Sequence, residues 1–181
     1  LAEFIQRVHK IPQNTNPNAP EEILTICEVK SGHTHNVIPE RAECKGTIRS
    51  LTPEVQDRLH KEILSLVEEI KEKYEVEVES EIIKGSPAII NSGDAYKWAR
   101  EAANRVCTTE GVVPLKSTNL GAEDFGFYLQ QIPGCFIRVG ARYPEDNPIP
   151  AHNPKFYAEH ETLFVGAAVL AEMAREASKQ I

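Results

Sequence analysis

One stretch constrains this chain more than any other: LTPEVQDRLHKEILSLVEEIKEKY, residues 51–74. Val55, Leu59, Ile63, Leu66, Val67 and Ile70 recur at helical spacing and form a single apolar stripe on an otherwise charged segment. Thr52 can cap the helix, Pro53 suits its first turn, and Glu54 sits where the helix start favours negative charge. A stripe of this length has to be buried against something, and the flanking sequence supplies it. ILTICEVK, residues 23–30, is rich in β-formers, with Ile23, Thr25, Cys27 and Val29 on one face. RAECKGTIRS, residues 41–50, alternates Arg41, Glu43, Lys45, Thr47 and Arg49 against Ala42, Cys44, Gly46 and Ile48. Two such runs around the compact loop SGHTHNVIPE predict an antiparallel pair.

On the other side of the helix, EVEVESEIIK (residues 75–84) predicts a third strand. Val76, Val78, Ser80 and Ile82 then face in, while Glu75, Glu77, Glu79 and Glu81 face water as a solvated sheet face rather than a cation site. Leu1, Phe4, Ile5 and Val8 predict a helix to about Lys10. Residues 1–85 thus read helix, strand, strand, helix, strand, with helices covering one side of an antiparallel sheet. One strand ahead of the first helix would complete a four-stranded ferredoxin-like unit. LAEFIQRVHK has neither an initiator Met nor a signal-peptide pattern, so the expectation is a chain that begins inside a larger protein.

The second half changes pattern. GSPAIINSGD reads as a crossing between domains, and DAYKWAREAANRVC as a helix capped by Ser92 or Asp94. GVVPLKST (111–118) and GCFIRVG (134–140) predict short buried strands, with AEDFGFYLQQI (122–132) a helix between them. ETLFVGAAVLAEMAREA (161–177) predicts a last helix packed through Leu163, Gly166, Val169, Leu170 and Met173. Strands alternating with helices indicate an α/β layer.

Bulk properties exclude some partners. The net charge is −7 without a basic run, which argues against nucleic acid, whose phosphates need clustered Lys and Arg. No apolar stretch approaches the roughly 18–20 residues of a membrane span. Cys27, Cys44, Cys107 and Cys135 form no C-x-x-C pair. They read as buried free thiols, which suggests a reducing, cytoplasmic setting.

The chemistry-bearing residues lie in three places. His152 is held between Pro150 and Pro154 in IPAHNPKF, a stiff setting that suits a metal ligand. A lone His is more often a surface residue, and a zinc site needs three or four ligands, so spacing leaves the role open. His33 and His35, two apart, could share one side of a strand and hold a metal edge, but in a loop their spacing guarantees nothing. Asn36 precedes Val37, Ile38 and Pro39, which predict an anchored position at the strand entrance. There it is either a turn former or a donor to a substrate oxygen. Arg49 ends the following strand, either as a solvated charge or as a bidentate grip on a carboxylate. In LGAEDFGFY, Gly121 permits close backbone approach, while Glu123 and Asp124 read as helix-start acids or as the wall of a pocket.

Taken in order, SGHTHNVIPERAECKGTIRS, GAEDFGFYLQQIPGCFIRVGAR and AHNPKF resemble the metal-dependent amidohydrolases that include hippurate hydrolase and the indole-acetyl-amino-acid hydrolases. These belong with the aminoacylase and carboxypeptidase G2 type metallopeptidases. The resemblance covers nearly the whole chain. It implies a ferredoxin-like lid and dimerisation domain at residues 1–86, lacking its first strand. Residues 87–181 would then be the C-terminal half of a zinc-peptidase-like α/β catalytic domain. It makes His152 a ligand of one of two divalent metals, zinc or manganese, and the single such ligand in this chain. It places Asn36 as a catalytic residue near the scissile group, Arg49 on the substrate carboxylate, and Gly121 in the loop that approaches the substrate. His33 and Thr34 depart from the small residues usual before Asn-Val-Ile-Pro. The segments that carry the other ligands and the general-base Glu have no counterpart here.

The resulting expectation is hydrolysis of the amide bond of N-acyl amino acids or similar small amides by a complete enzyme, a homodimer through its lid, with the present chain silent by itself. The alternative is a non-catalytic module for dimerisation or small-ligand binding.

Overall fold

The computed structural model describes residues 1–13, 21–115, 120–143 and 149–179. The fold is mixed α/β and divides into two compact units. One is Leu1–Ala88 with Lys116–Asp124, and the other is Ile89–Leu115 with Phe125–Ile181.

The first unit is built on the long amphipathic helix. It contains α1 (Ala2–Val8), β1 (Glu22–Ser31), β2 (Ala42–Ser50) and α2 (Pro53–Tyr74). The Thr52 hydroxyl accepts from the Val55 N–H, Pro53 occupies the first turn, and Glu75 closes the helix in the left-handed region at φ 51°. The predicted stripe is the buried face: Leu59, Ile63, Leu66, Val67 and Ile70. Val8, Leu24, Ile63, Leu66 and Ile70 form the core, with Phe4, Ile11, Ile26, Ile48 and Ile82 packed on it. Charge pairs fasten the edges of this core. Lys73 Nζ and the Tyr74 hydroxyl both donate to Glu3, at 2.6 and 2.5 Å. Arg7 pairs with Glu69. The buried Glu22 carboxylate pairs with Arg58 at 2.5 Å and accepts from the Gln13 N–H at 3.0 Å. Burial alone would raise the Glu22 pKa; the hydrogen bonds from Arg58 and Gln13 leave it lowered.

β1 and β2 pair antiparallel, Glu22 opposite Ser50 through Ser31 opposite Ala42, as the alternation predicts. The register shifts between Ile26 and Glu28, leaving Cys27 without an opposite number. This bulge flips the strand's phase. Ile23, Thr25, Cys27 and Val29 therefore do not form one continuous face. Leu24 and Ile26 supply the core side ahead of the bulge, opposite Ile48 and Gly46, and Val29 joins that side only after it, opposite Cys44.

Three predicted strands are absent among the described residues, where the sheet has two strands. Residues 75–84 run outside any ladder, and only Ile82 of this stretch packs on the core. Val76 and Ile83 are exposed. Alternation marks a segment able to be a strand, but a strand exists only where a neighbour supplies the facing N–H and C=O groups. Residues 134–140 illustrate the point. At Phe136 a side chain takes the place of a strand: Asn91 Nδ2 donates to the Phe136 carbonyl at 3.1 Å and the Phe136 N–H donates to Asn91 Oδ1 at 2.8 Å, while the Gly134 carbonyl accepts from the Ser92 N–H at 2.9 Å. Residues 112–115 follow a single 3-10 turn, Thr109–Gly111, and join no strand among the described residues; Lys116–Thr118 of that predicted strand lie outside them.

In the second unit, α3 (Gly93–Val106) is capped by Ser92, whose hydroxyl accepts from the Ala95 N–H. α4 is one short helix, Phe125–Leu129, rather than the whole of 122–132. α5 (His160–Ala177) lies against α3. Its packing differs from the predicted stripe: Val169 is buried, but Leu163 and Leu170 are 69% and 59% exposed. The buried residues of α3 are small, Ala95, Ala99 and Ala102, and charge joins the two helices. The buried Glu176 carboxylate pairs with Arg105 of α3 and accepts from Lys179 at 2.6 Å, while Glu172 pairs with Arg175 at 2.7 Å. The cysteines are free, but Cys27 is exposed and the other three are half-buried, so the expected burial does not hold. None of the helices among the described residues is long and apolar enough to cross a membrane.

Candidate functional site

The loop between β1 and β2 opens at Gly32, whose φ of 75° lies in the left-handed region that glycine adopts without strain. The Ser31 hydroxyl donates across the loop's neck to the Arg41 carbonyl at 3.4 Å. Inside it, the Thr34 hydroxyl donates to Asn36 Oδ1 at 2.9 Å. That bond fixes the amide oxygen and leaves the amide NH2 donors outside it. The anchoring expected from Val37 and Ile38 is not there: against the described residues they are 62% and 94% exposed. His33 and His35 are exposed on the same loop.

Arg49 lies on the sheet face opposite the core, across from Ile23. Its Nη1 donates to the Leu120 carbonyl at 2.7 Å. The fold therefore brings two candidate residues into one place, because the carbonyl that Arg49 holds belongs to the residue before Gly121. The segment that follows is tied again: the Ser86 hydroxyl donates to Asp124 Oδ1 at 3.1 Å, and the Asp124 N–H donates to Glu123 Oε1 at 3.1 Å. Glu123 and Asp124 thus lie ahead of α4 rather than in the first turn of the predicted helix.

His152 is exposed and belongs to the second unit. The residue beside it builds its loop. The Asn153 N–H donates to the Pro150 carbonyl, its side-chain oxygen accepts from the Lys155 N–H, and its carbonyl accepts from the Phe156 N–H, each at 2.9 Å. This Asx turn, flanked by Pro150 and Pro154, fixes the backbone on either side of His152. The far end of the loop is fastened to the stretch before it. The Glu159 N–H donates to the Ala141 carbonyl at 2.8 Å, the Thr162 hydroxyl to the Gly140 carbonyl at 2.9 Å, and Arg142 lies over the Tyr157 ring, 4.4 Å from its centre.

Among the described residues, no group of three or more His, Cys, Asp or Glu side chains is placed to hold a metal ion. That holds for the His33–His35 pair and for His152 alike. One histidine gives one of the three or four ligands a divalent-metal site needs, so these residues do not build a metal pair by themselves.

Two features escaped the sequence reading, the Ser86–Asp124 contact and the Asn153 turn. An Asn before a proline is a recognisable signal for the turn. No local signal joins Ser86 to Asp124 or Arg49 to Leu120, which are far apart along the chain.

Known proteins resemble this chain along most of its length. N-acetylcysteine deacetylase of Bacillus subtilis is 30% identical over 173 residues, covering 95% of this chain and 43% of that protein. N-acetyldiaminopimelate deacetylase of Lactococcus lactis is 27% identical over 164 residues, covering 90% of this chain and 42% of that protein. Among solved structures, the Bacillus subtilis YXEP protein, described as a dinuclear metal-binding peptidase of the M20 family, superposes with a TM-score of 0.74 at 26% identity. It is matched over 99% of this chain and 45% of its own. The chain thus spans less than half the length of these relatives. The pattern of one family, peptidase family M20/M25/M40, runs through residues 3–176, from α1 almost to the end of α5, and the chain belongs to that family.

Proposed function

We propose that this chain is the lid and the C-terminal part of the catalytic domain of a metal-dependent amidohydrolase that cleaves the amide bond of N-acyl amino acids. Within the family we place it with the hippurate and indole-acetyl-amino-acid hydrolases. The observation that carries this reading is the meeting of Arg49 with the backbone beside Gly121, at 2.7 Å through Leu120. A guanidinium next to a glycine-containing loop suits a small substrate with a carboxylate at one end. The deacetylase relatives, which act on acetylated amino acids by their names, point to the same substrate class.

In this reading, Arg49 holds the α-carboxylate and the Asn36 amide donates to the oxygen of the scissile carbonyl as charge develops on it. The backbone at Gly121 lies along the substrate, and His152, held by its Asx turn, gives one ligand to a pair of divalent ions, zinc or manganese. The remaining ligands and the proton-shuttling Glu come from outside the described residues, and the enzyme works as a homodimer joined through the lid.

The test is substrate discrimination in the full-length enzyme. Arg49→Ala should weaken kcat/KM for substrates with a free α-carboxylate by about 2–4 kcal/mol, the loss expected for a desolvated charge-assisted pair. The corresponding amides should be little affected. Equal losses for both would show that Arg49 is not the carboxylate grip.

A further inference from the structure

Residues 120–124 have a position that their place in the chain does not predict. The stretch Lys116–Asp124 groups with the first unit, although Ile89–Leu115 before it and Phe125–Ile181 after it form the second. No strand or α-helix organises residues 120–123. A side-chain contact from a distant stretch ties the segment at each end. Arg49 Nη1 donates to the Leu120 carbonyl at 2.7 Å, and the Ser86 hydroxyl donates to Asp124 Oδ1 at 3.1 Å. Gly121 lies between these points, with no side chain of its own to stand between its backbone and a ligand.

We propose that Ser86 and Asp124, together with Arg49, form a two-point latch that fixes the Leu120–Asp124 segment. Ser86 and Asp124 are then positioning residues for the backbone at Gly121, a role whose bearing on substrate rests on the hydrolase reading above. Arg49 has the capacity for both tasks. A guanidinium carries five N–H donors in a fixed planar fork, and the Leu120 carbonyl takes one of them. The remaining donors suit a carboxylate, so the group that binds the substrate's charged end also holds the loop beside it. Ser86 closes the other end from residues 75–88, outside the sheet, so the latch joins three stretches distant in sequence: β2, the segment after α2, and the loop ahead of α4.

Backbone order parameters of the 181-residue protein, measured by NMR relaxation without substrate or metal, test the latch. The amides of Gly121, Ala122 and Glu123 should show rigid values of about 0.85. Ser86→Ala should lower them below about 0.6, and Asp124→Ala, which breaks the same contact from the other side, should do the same. Ser86→Thr, which keeps the hydroxyl, should restore them. The β1 and β2 amides report in every variant that the first unit is folded. A parent protein already below about 0.6 at these amides, or unchanged values in both alanine variants, overturns the latch. Because no substrate is present, the latch can fail while the hydrolase reading stands. Equally, Arg49→Ala can show no carboxylate discrimination while the latch stands.

Discussion

Gly46 of β2 lies so close to Thr25 of β1 that a Cβ at position 46 would sit 2.4 Å from the Thr25 carbonyl oxygen and 3.1 Å from the Ile26 side chain. A backbone oxygen cannot step aside as a flexible side chain can. Gly46→Ala should therefore push the two strands apart next to the bulge and destabilise the first unit by about 1–3 kcal/mol. Gly85→Ala is the matched control, since nothing lies within 4 Å of its added Cβ. It should shift stability by no more than about 0.5 kcal/mol. Urea unfolding of both variants checks this, and equal midpoints would refute it.

The second unit should unfold in acid through Glu176. Hydrogen bonds from Lys179 and then Arg105 hold its carboxyl at about 2, well below the ordinary carboxylate range. A depressed folded-state pKa means that the unfolded chain takes up the proton first as pH falls. The stabilisation is complete above the ordinary carboxylate pKa of about 4.3 and drains away as pH falls through the window down to about 2. Glu176→Gln should lower stability at neutral pH and flatten the pH dependence in that window. Thermal melts at stepped pH, followed by near-UV signals from Trp98 in α3, would show it; an unchanged slope in the variant would remove Glu176 from the account.

How much of this was legible in the sequence depends on how local each feature is. The α2 stripe, its Thr52 cap and the pairing of β1 with β2 were readable, because each is set by neighbours within a few residues or by one loop. The phase flip at Cys27 was not, because a bulge is a property of two strands and alternation describes one. EVEVESEIIK and GCFIRVG carry strand-like patterns without a ladder, and the Asn91 side chain that satisfies Phe136 is invisible to periodicity. Helical spacing predicts a packed face for Leu163 and Leu170, but both are exposed, while an arginine of α3 pairs with the buried Glu176 of α5. The candidate site divides the same way. The stiff setting of His152 was announced by its two prolines, while the contact of Arg49 with Leu120 depends wholly on tertiary structure.

By itself the 181-residue chain should turn over no N-acyl amino acid, with or without added zinc or manganese. His152 is one ligand where such ions need three or four, and the described residues offer it no cluster of partners. A ninhydrin assay on N-acetylated amino acids with each metal checks this. Turnover that requires added metal and disappears in His152→Ala would overturn it and place a working metal centre within this chain.

Assembly gives the last prediction. β1 is a strand of ten residues with β2 on one side and, among the described residues, no strand on the other. A free strand edge presents unpaired N–H and C=O groups that another chain can match. Part of this edge is already covered: the Ile26 N–H donates to His9 Nε2 at 3.0 Å. We expect a two-fold contact along β1 away from that point, which makes the protein a dimer through the unit that carries residues 1–86. Cys27 is the position at which to test it. It is exposed and falls out of the register with β2, so a charge placed there spares the ladder, whereas a change at Thr25 would disturb its pairing with Thr47. Cys27→Lys should leave the stability of the first unit within about 0.5 kcal/mol of the parent and yet dissociate the dimer, because a lysine on a strand edge opposes pairing. Sedimentation equilibrium at micromolar protein, run beside urea unfolding, separates the two effects. A parent chain that sediments as a monomer, or a Cys27→Lys dimer as tight as the parent's, would rule out β1 as the contact.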